Sequence, residues 1–119
     1  MKQIEHDNCA FFDVDDTLIM YSYPLYEQDK AIEIKIDDDH PSVWVVPHEK
    51  HIEAVRNHKA WGNGVVVWSR SGYKWAAAVV KALDLELYVD VVMAKPFYYY
   101  DDKKCCDILG EHRYKTPWC

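Results

Sequence analysis

The chain has 119 residues and a formal net charge of −6, and half of its residues are hydrophobic. That is one domain, residues 1–119, with enough apolar content for a modest core. The apolar and aromatic content argues against intrinsic disorder, and the acidic balance argues against a generic nucleic-acid surface, a local basic patch aside. No apolar run approaches the ~20 residues that cross a bilayer, and the opening MKQIEHDN lacks a signal peptide's apolar region; the expectation is a cytoplasmic protein with no membrane partner.

The first element organises the rest. Cys9-Ala10-Phe11-Phe12 is a short apolar run that stops at Asp13, Asp15 and Asp16, followed by Thr17 and Leu18. A continuous apolar run of this length fits a strand buried on both faces, as in a parallel sheet. Acids at its C-terminal end sit where open α/β folds place ligands. Carboxylates this close repel one another unless a cation, a shared proton or solvent relieves the charge. Taken alone, the stretch reads as an acidic solvated turn, as a metal site without catalysis, or as a catalytic pair. Asp16 fits a turn residue better than a ligand, and Thr17 is expected to hydrogen-bond within the loop.

Residues 19–28 (IMYSYPLYEQ) show no clean period and read as a loop. Residues 31–36 (AIEIKI) alternate as a half-exposed strand, 37–41 (DDDHP) make a turn, and 42–46 (SVWVV) make a second strand, so together they read as a β-hairpin. Pro47, His48 and Glu49 open a helix running to about residue 60. Ile52 and Val55 face inward there, with Lys50, His51, Arg56 and Lys59 outward. The spacing of His48 and His51 is not the HExxH zinc pattern, and both read as surface histidines. Residues 61–64 (WGNG) end the helix.

Residues 65–68 (VVVW) are a second buried strand that stops at Ser69-Arg70-Ser71-Gly72. A second helix covers 73–83, with Trp75, Val79, Val80 and Leu83 toward the sheet. Residues 89–94 are a third strand followed by Lys95 and Pro96. Residues 97–100 (FYYY) read as a fourth strand ending at Asp101 and Asp102, with the tyrosines in core packing. Residues 112–114 fit a short edge strand. The cysteines Cys9, Cys105, Cys106 and Cys119 fit neither a disulfide framework nor a zinc pattern and read as reduced thiols. Strands alternating with helices mean α/β with a mainly parallel sheet, the first strand central and flanked by the second and fourth.

Four strand ends therefore carry polar residues: Asp13 with Asp15, Ser69, Lys95, and Asp101 with Asp102. In order and type they match DxDxT, a Ser or Thr after a strand, a Lys, and an acidic pair. The chain thereby resembles the haloacid dehalogenase-like (HAD) superfamily over roughly residues 9–110. Its short form, with residues 19–47 as a hairpin insert or minimal cap, is similar to compact HAD-like proteins of phage genomes.

The resemblance implies a HAD-like Rossmannoid three-layer α/β/α fold and a Mg²⁺-dependent phosphatase acting on a phosphomonoester. Asp13 would be the nucleophile, forming an aspartyl-phosphate, and Asp15 the general acid and base. Mg²⁺ would be held by Asp13, the backbone carbonyl of Asp15 and Asp101, with Asp102 beside it or as a second ligand. Ser69 would donate to a phosphoryl oxygen, and Lys95 would neutralise developing charge. Each has a plainer alternative: Ser69 also fits a cap for the next helix, and Lys95 a surface lysine. Lys81 and Lys74 are rivals for the lysine role, but Lys95 directly follows a strand and Pro96 fixes its loop. Arg70 would reach a substrate phosphate or lie solvated in its loop.

The substrate class expected is a phosphorylated small molecule, with a nucleic-acid end as the alternative. The rival functions are a non-catalytic, metal-binding regulatory or interaction module, and a phosphotransferase passing the phosphoryl group to another alcohol.

Overall fold

A computed structural model of the protein describes residues 4–104. The readings for Cys105, Cys106, Cys119 and the 112–114 strand lie outside the described residues. Strand β1 (Cys9–Asp13) runs parallel to β5 (Gly64–Ser69), pairing Phe12 with Val67 and Asp13 with Trp68. On its other side β5 is parallel to β6 (Val91–Ala94), pairing Ser69 with Ala94. Among the described residues the sheet order is β1-β5-β6, so β5 is the central strand and β1 lies at an edge.

The expected fourth strand does not form. Phe97–Tyr100 carries no strand pairing, and its rings are exposed, Tyr100 at 94%. Aromatic β-propensity measures packing against neighbours rather than a backbone preference, and among the described residues this run pairs with no strand. Pro96, directly before it, brings no N–H to a ladder.

Helix α1 (Glu49–Ala60) follows the sequence reading closely. Its cap is His48, whose Nδ1 accepts the His51 N–H at 3.2 Å. Neither histidine is a surface residue. His48 is 6% exposed, and the His51 ring stacks on it with centroids 3.9 Å apart. The His51 Nδ1–H donates to the Thr17 carbonyl at 2.9 Å, and His48 N donates to Leu18 O at 2.9 Å. Burial, and then the neighbouring His51, push the His48 pKa down, so its ring is neutral. Helix α2 (Tyr73–Ala82) places Trp75, Ala76, Val79 and Val80 inward.

Side chains from both helices meet Val65 and Val67 of β5 in one core, with Phe12 and Val92 packed against it. The opposite face is less covered: Phe11 is 46% exposed, resting edge-on against Trp68 at 4.5 Å, and Met93 is 36% exposed. The apolar run of β1 is therefore covered on one face only by the described residues. The helical layer expected on the second face is not among them.

The insert is larger than a hairpin. Strands β3 (Ile32–Ile34) and β4 (Val43–Pro47) pair antiparallel as expected, Ile32 opposite Val45. A short strand β2 (Ile19–Met20), read from sequence as loop, pairs with the other side of β4, Met20 opposite Val46. A 3₁₀ helix (Leu25–Lys30) links β2 to β3. Ile19, Ile34 and Val45 are buried in the same core, which seats the insert on the domain. No described helix is long and apolar enough to cross a membrane.

Candidate functional site

Because β1, β5 and β6 are parallel and in register, Asp13, Ser69 and the residue after Ala94 arrive at one edge of the sheet. The backbone holds this edge together. Lys95 N donates to Ser69 O at 3.0 Å, and Gly72 N donates to the same carbonyl at 3.2 Å. Gly72 takes a φ of +105°, a conformation that a side chain disfavours, and this turns the chain from β5 into α2.

After Asp13 the chain closes a tight turn: the N–H groups of Thr17, Leu18 and Ile19 all point at Val14 O, at 3.2, 3.0 and 3.2 Å. Asp16 sits at the left-handed corner, with φ of 60°, and is exposed. It is a turn residue, and its Oδ1 lies 3.5 Å from Tyr21 N. Thr17 hydrogen-bonds within the loop as expected, its Oγ1 donating to Asp13 Oδ2 at 3.3 Å.

The sequence-derived site residues divide into two groups. Asp13, Asp15, Ser69 and Lys95 come together. Lys95 Nζ lies 2.9 Å from Asp13 Oδ1, in a pair that is partly shielded from solvent. Lys95 is thus the lysine on Asp13, while its rivals Lys74 and Lys81 line a shallow groove with Ile36, Asp37 and Tyr73. Ser69 is fully buried, and its Oγ donates to Asp15 Oδ2 at 3.3 Å. Its Oγ in turn accepts the Ser71 N–H at 3.0 Å.

Arg70, Asp101 and Asp102 stand apart from these contacts. Arg70 is exposed, with its guanidinium 5.7 Å from the centroid of the Phe97 ring. Asp101 is exposed and accepts the Lys103 N–H at 3.0 Å, which, with the neighbouring Asp102, holds its pKa below the usual range. Among the described residues no three His, Cys, Asp or Glu side chains gather around one point. Asp13 does offer carboxylate oxygens at the strand end, a chemistry that suits a hard cation.

Three residues around Asp15 were not foreseen. Tyr21 OH donates to Asp15 Oδ1 at 2.6 Å, Trp75 Nε1 donates to the same oxygen at 2.8 Å, and Ser71 Oγ donates to Oδ2 at 3.1 Å. Partial burial and the Asp15 carboxylate push the Tyr21 phenol up, so it stays protonated and donates. Trp75 carried a usable signal: a buried indole seeks a partner for its N–H, and the acids at the end of β1 were the nearest candidates. Tyr21, in an aperiodic stretch, carried none. No family model, no curated protein and no solved structure matches this chain.

Proposed function

We propose that the chain is a Mg²⁺-dependent HAD-like phosphatase that hydrolyses a phosphomonoester through an aspartyl-phosphate on Asp13. The reading includes the finer fold assignment, a HAD-like Rossmannoid α/β/α domain with residues 19–47 as a flap. It rests on the 2.9 Å pair of Lys95 with Asp13 at the strand edge, beside a second carboxylate, Asp15, with a separate set of donors. Asp13 with Asp15, Ser69 and Lys95, from three separate parts of the chain, meet there, and they stand at the first three of the four positions that the resemblance names.

A phosphomonoester resists attack because its own charge repels nucleophiles. Lys95 offsets that charge and orients Asp13, one oxygen of which attacks phosphorus as the bond to the leaving oxygen breaks. Asp15 gives a proton to the leaving oxygen, then takes one from the water that cleaves the aspartyl-phosphate. Ser69 turns its hydroxyl to a phosphoryl oxygen. Mg²⁺, held at Asp13, would supply additional neutralisation of phosphoryl charge, with Asp101 and Asp102 joining it only if their segment moves toward the strand edge from which it now stands apart. The substrate favoured is a phosphorylated small molecule, with a nucleic-acid end second.

The test is phosphate release from nucleotides, sugar phosphates and 3′- or 5′-phosphorylated oligonucleotides, with Mg²⁺ and with chelator, for the parent and Asp13→Asn. Mg²⁺-dependent release that vanishes in the variant supports the reading. Release from nothing, with Mg²⁺ still bound, would turn it toward the non-catalytic metal-binding module. Transfer of phosphate to an added alcohol would make the protein a phosphotransferase.

A further inference from the structure

Asp15 has four donors, and they are of two kinds. On Oδ1 sit the Tyr21 phenol at 2.6 Å and the Trp75 indole N–H at 2.8 Å. On Oδ2 sit the hydroxyls of Ser71 at 3.1 Å and Ser69 at 3.3 Å. The first two are carried on rings: that of Trp75 is held by packing, while that of Tyr21 is 43% exposed and is positioned by its backbone. Trp75 is 5% exposed in the core, and Tyr21 directly follows β2, which β4 holds in register. The other two are longer, and a serine hydroxyl hydrogen rotates to suit its surroundings. When a phosphoryl group enters, Ser69 and Ser71 can turn toward it and release Oδ2. The indole N–H has no such freedom, and the phenol makes the shortest of the four bonds, at 2.6 Å.

We propose that Tyr21 and Trp75 are positioning residues that grip Oδ1 of Asp15 and so reserve Oδ2 for proton exchange with the leaving group. The inference rests on the phosphatase reading and deepens it by dividing the labour between the two oxygens of one carboxyl. It also gives the insert a role, because Tyr21 belongs to the flap while Asp15 and Trp75 belong to the α/β body. A flap seated so that Tyr21 meets Asp15 fixes the direction in which the acid points. Small errors in the placement of a reacting group cost large factors in rate.

Tyr21→Phe removes one donor and keeps the ring. Turnover of the parent and the variant is compared on p-nitrophenyl phosphate, whose leaving group departs without a proton, and on a simple alkyl phosphate, whose leaving group needs one. The expected result is a fall in kcat on the alkyl ester about tenfold greater than on the aryl ester, with little movement of KM on either. Equal losses on both, or none on the alkyl ester, overturn the inference, since general loosening of the fold lowers both rates alike. Trp75 is too deeply packed for a clean kinetic variant, so its indole N–H is followed by ¹H–¹⁵N spectroscopy, with Trp75→Phe assigning the resonance. Asp15→Ala should move that resonance upfield, and a resonance that stays in place overturns the grip. A parent inactive on both esters overturns the phosphatase reading and this inference with it. A parent active on both whose Tyr21→Phe variant loses both equally overturns this inference alone.

Discussion

Replacing Lys59 with methionine tests how the parallel sheet is anchored to its helices. Lys59, on α1, places Nζ 2.6 Å from Asp90 Oδ1. Asp90 Oδ2 accepts the Val65 N–H at 2.8 Å, and Asp90 N donates to Val65 O at 2.9 Å. One residue just ahead of β6 thus binds both the backbone of β5 and the helix packed on it. The Asp90 side chain is 9% exposed and that of Lys59 is 32% exposed. An exposed pair is worth less than about 1 kcal/mol, and removing one partner of a buried pair costs about 3–5 kcal/mol. This pair lies between those limits, so Lys59→Met should cost about 2 kcal/mol. Methionine keeps much of the apolar stem, so the loss reports the ammonium rather than packing. For a domain of this size that lowers Tm by roughly 10 °C. Urea and thermal unfolding at neutral pH measure it. A cycle with Asp90→Asn isolates the pair, with an expected coupling above about 1 kcal/mol. A variant within about 0.5 kcal/mol of the parent would refute the claim that this pair anchors the sheet.

Four further outcomes are expected. Asp13→Asn should lower phosphate release by a factor of at least about 1,000 while the unfolding midpoint stays close to the parent's; a variant as active as the parent removes Asp13 as nucleophile. Lys95→Met should lower turnover about 100-fold or more and Lys81→Met should not, and the reverse result in the same assay would move the lysine role to α2. Gly72→Ala should cost about 1–3 kcal/mol in urea unfolding. A Cβ there meets nothing within 4 Å, so the cost is backbone strain at φ +105° and not a clash. His48 has a folded-state pKa below its unfolded value, so the unfolded chain binds a proton first as pH falls through about 6.5. The stability present at neutral pH is therefore lost on acidification below that point. His48→Asn, which keeps a capping side chain, should flatten the stability profile between about pH 5 and 7.

Periodic and punctuated stretches were legible from sequence. The run from Val65 to Trp68, closed by Ser69 and Gly72, is β5 to within a residue, and α1 ends at the tryptophan and glycines that signal its stop. What failed depended on partners far away in the chain. The aromatic run Phe97–Tyr100 has the composition of a strand but, among the described residues, no strand beside it to pair with. β2 is two residues long, too short for any period, and exists because the far edge of β4 is free to pair. His48 and His51 read as polar surface residues, yet the turn after Asp13 supplies carbonyl acceptors that hold them at the start of α1. At the site, Asp13, Asp15, Ser69 and Lys95 were legible because each ends a strand or follows one within two residues. Tyr21 and Ser71 were not, and Trp75 only as an indole in need of a partner, because what places them is the closure of the insert and α2 over that edge.

The packing of three acids at positions 13, 15 and 16 poses an electrostatic problem, and the fold answers it differently at each. Asp13 meets a cation, with Lys95 Nζ at 2.9 Å. Asp15 meets neutral donors on both oxygens, from the phenol, the indole and two hydroxyls. Asp16 is turned out to solvent at a left-handed corner, where water screens it. Had all three been solvated alike, the stretch would be an acidic turn and nothing more. A cation beside one carboxylate and fixed dipoles around its neighbour make the two chemically unequal although only one residue separates them. Unequal neighbours are what a paired acid and nucleophile require. The Lys95 contact depends on β6 lying in register beside β5, and the donors on Asp15 depend on α2 and the flap. Loosening either support should therefore disable one carboxylate before the other: the Lys59 variant should act first through Asp13, lowering rates on aryl and alkyl esters together, and the Tyr21 variant through Asp15, lowering chiefly the alkyl rate.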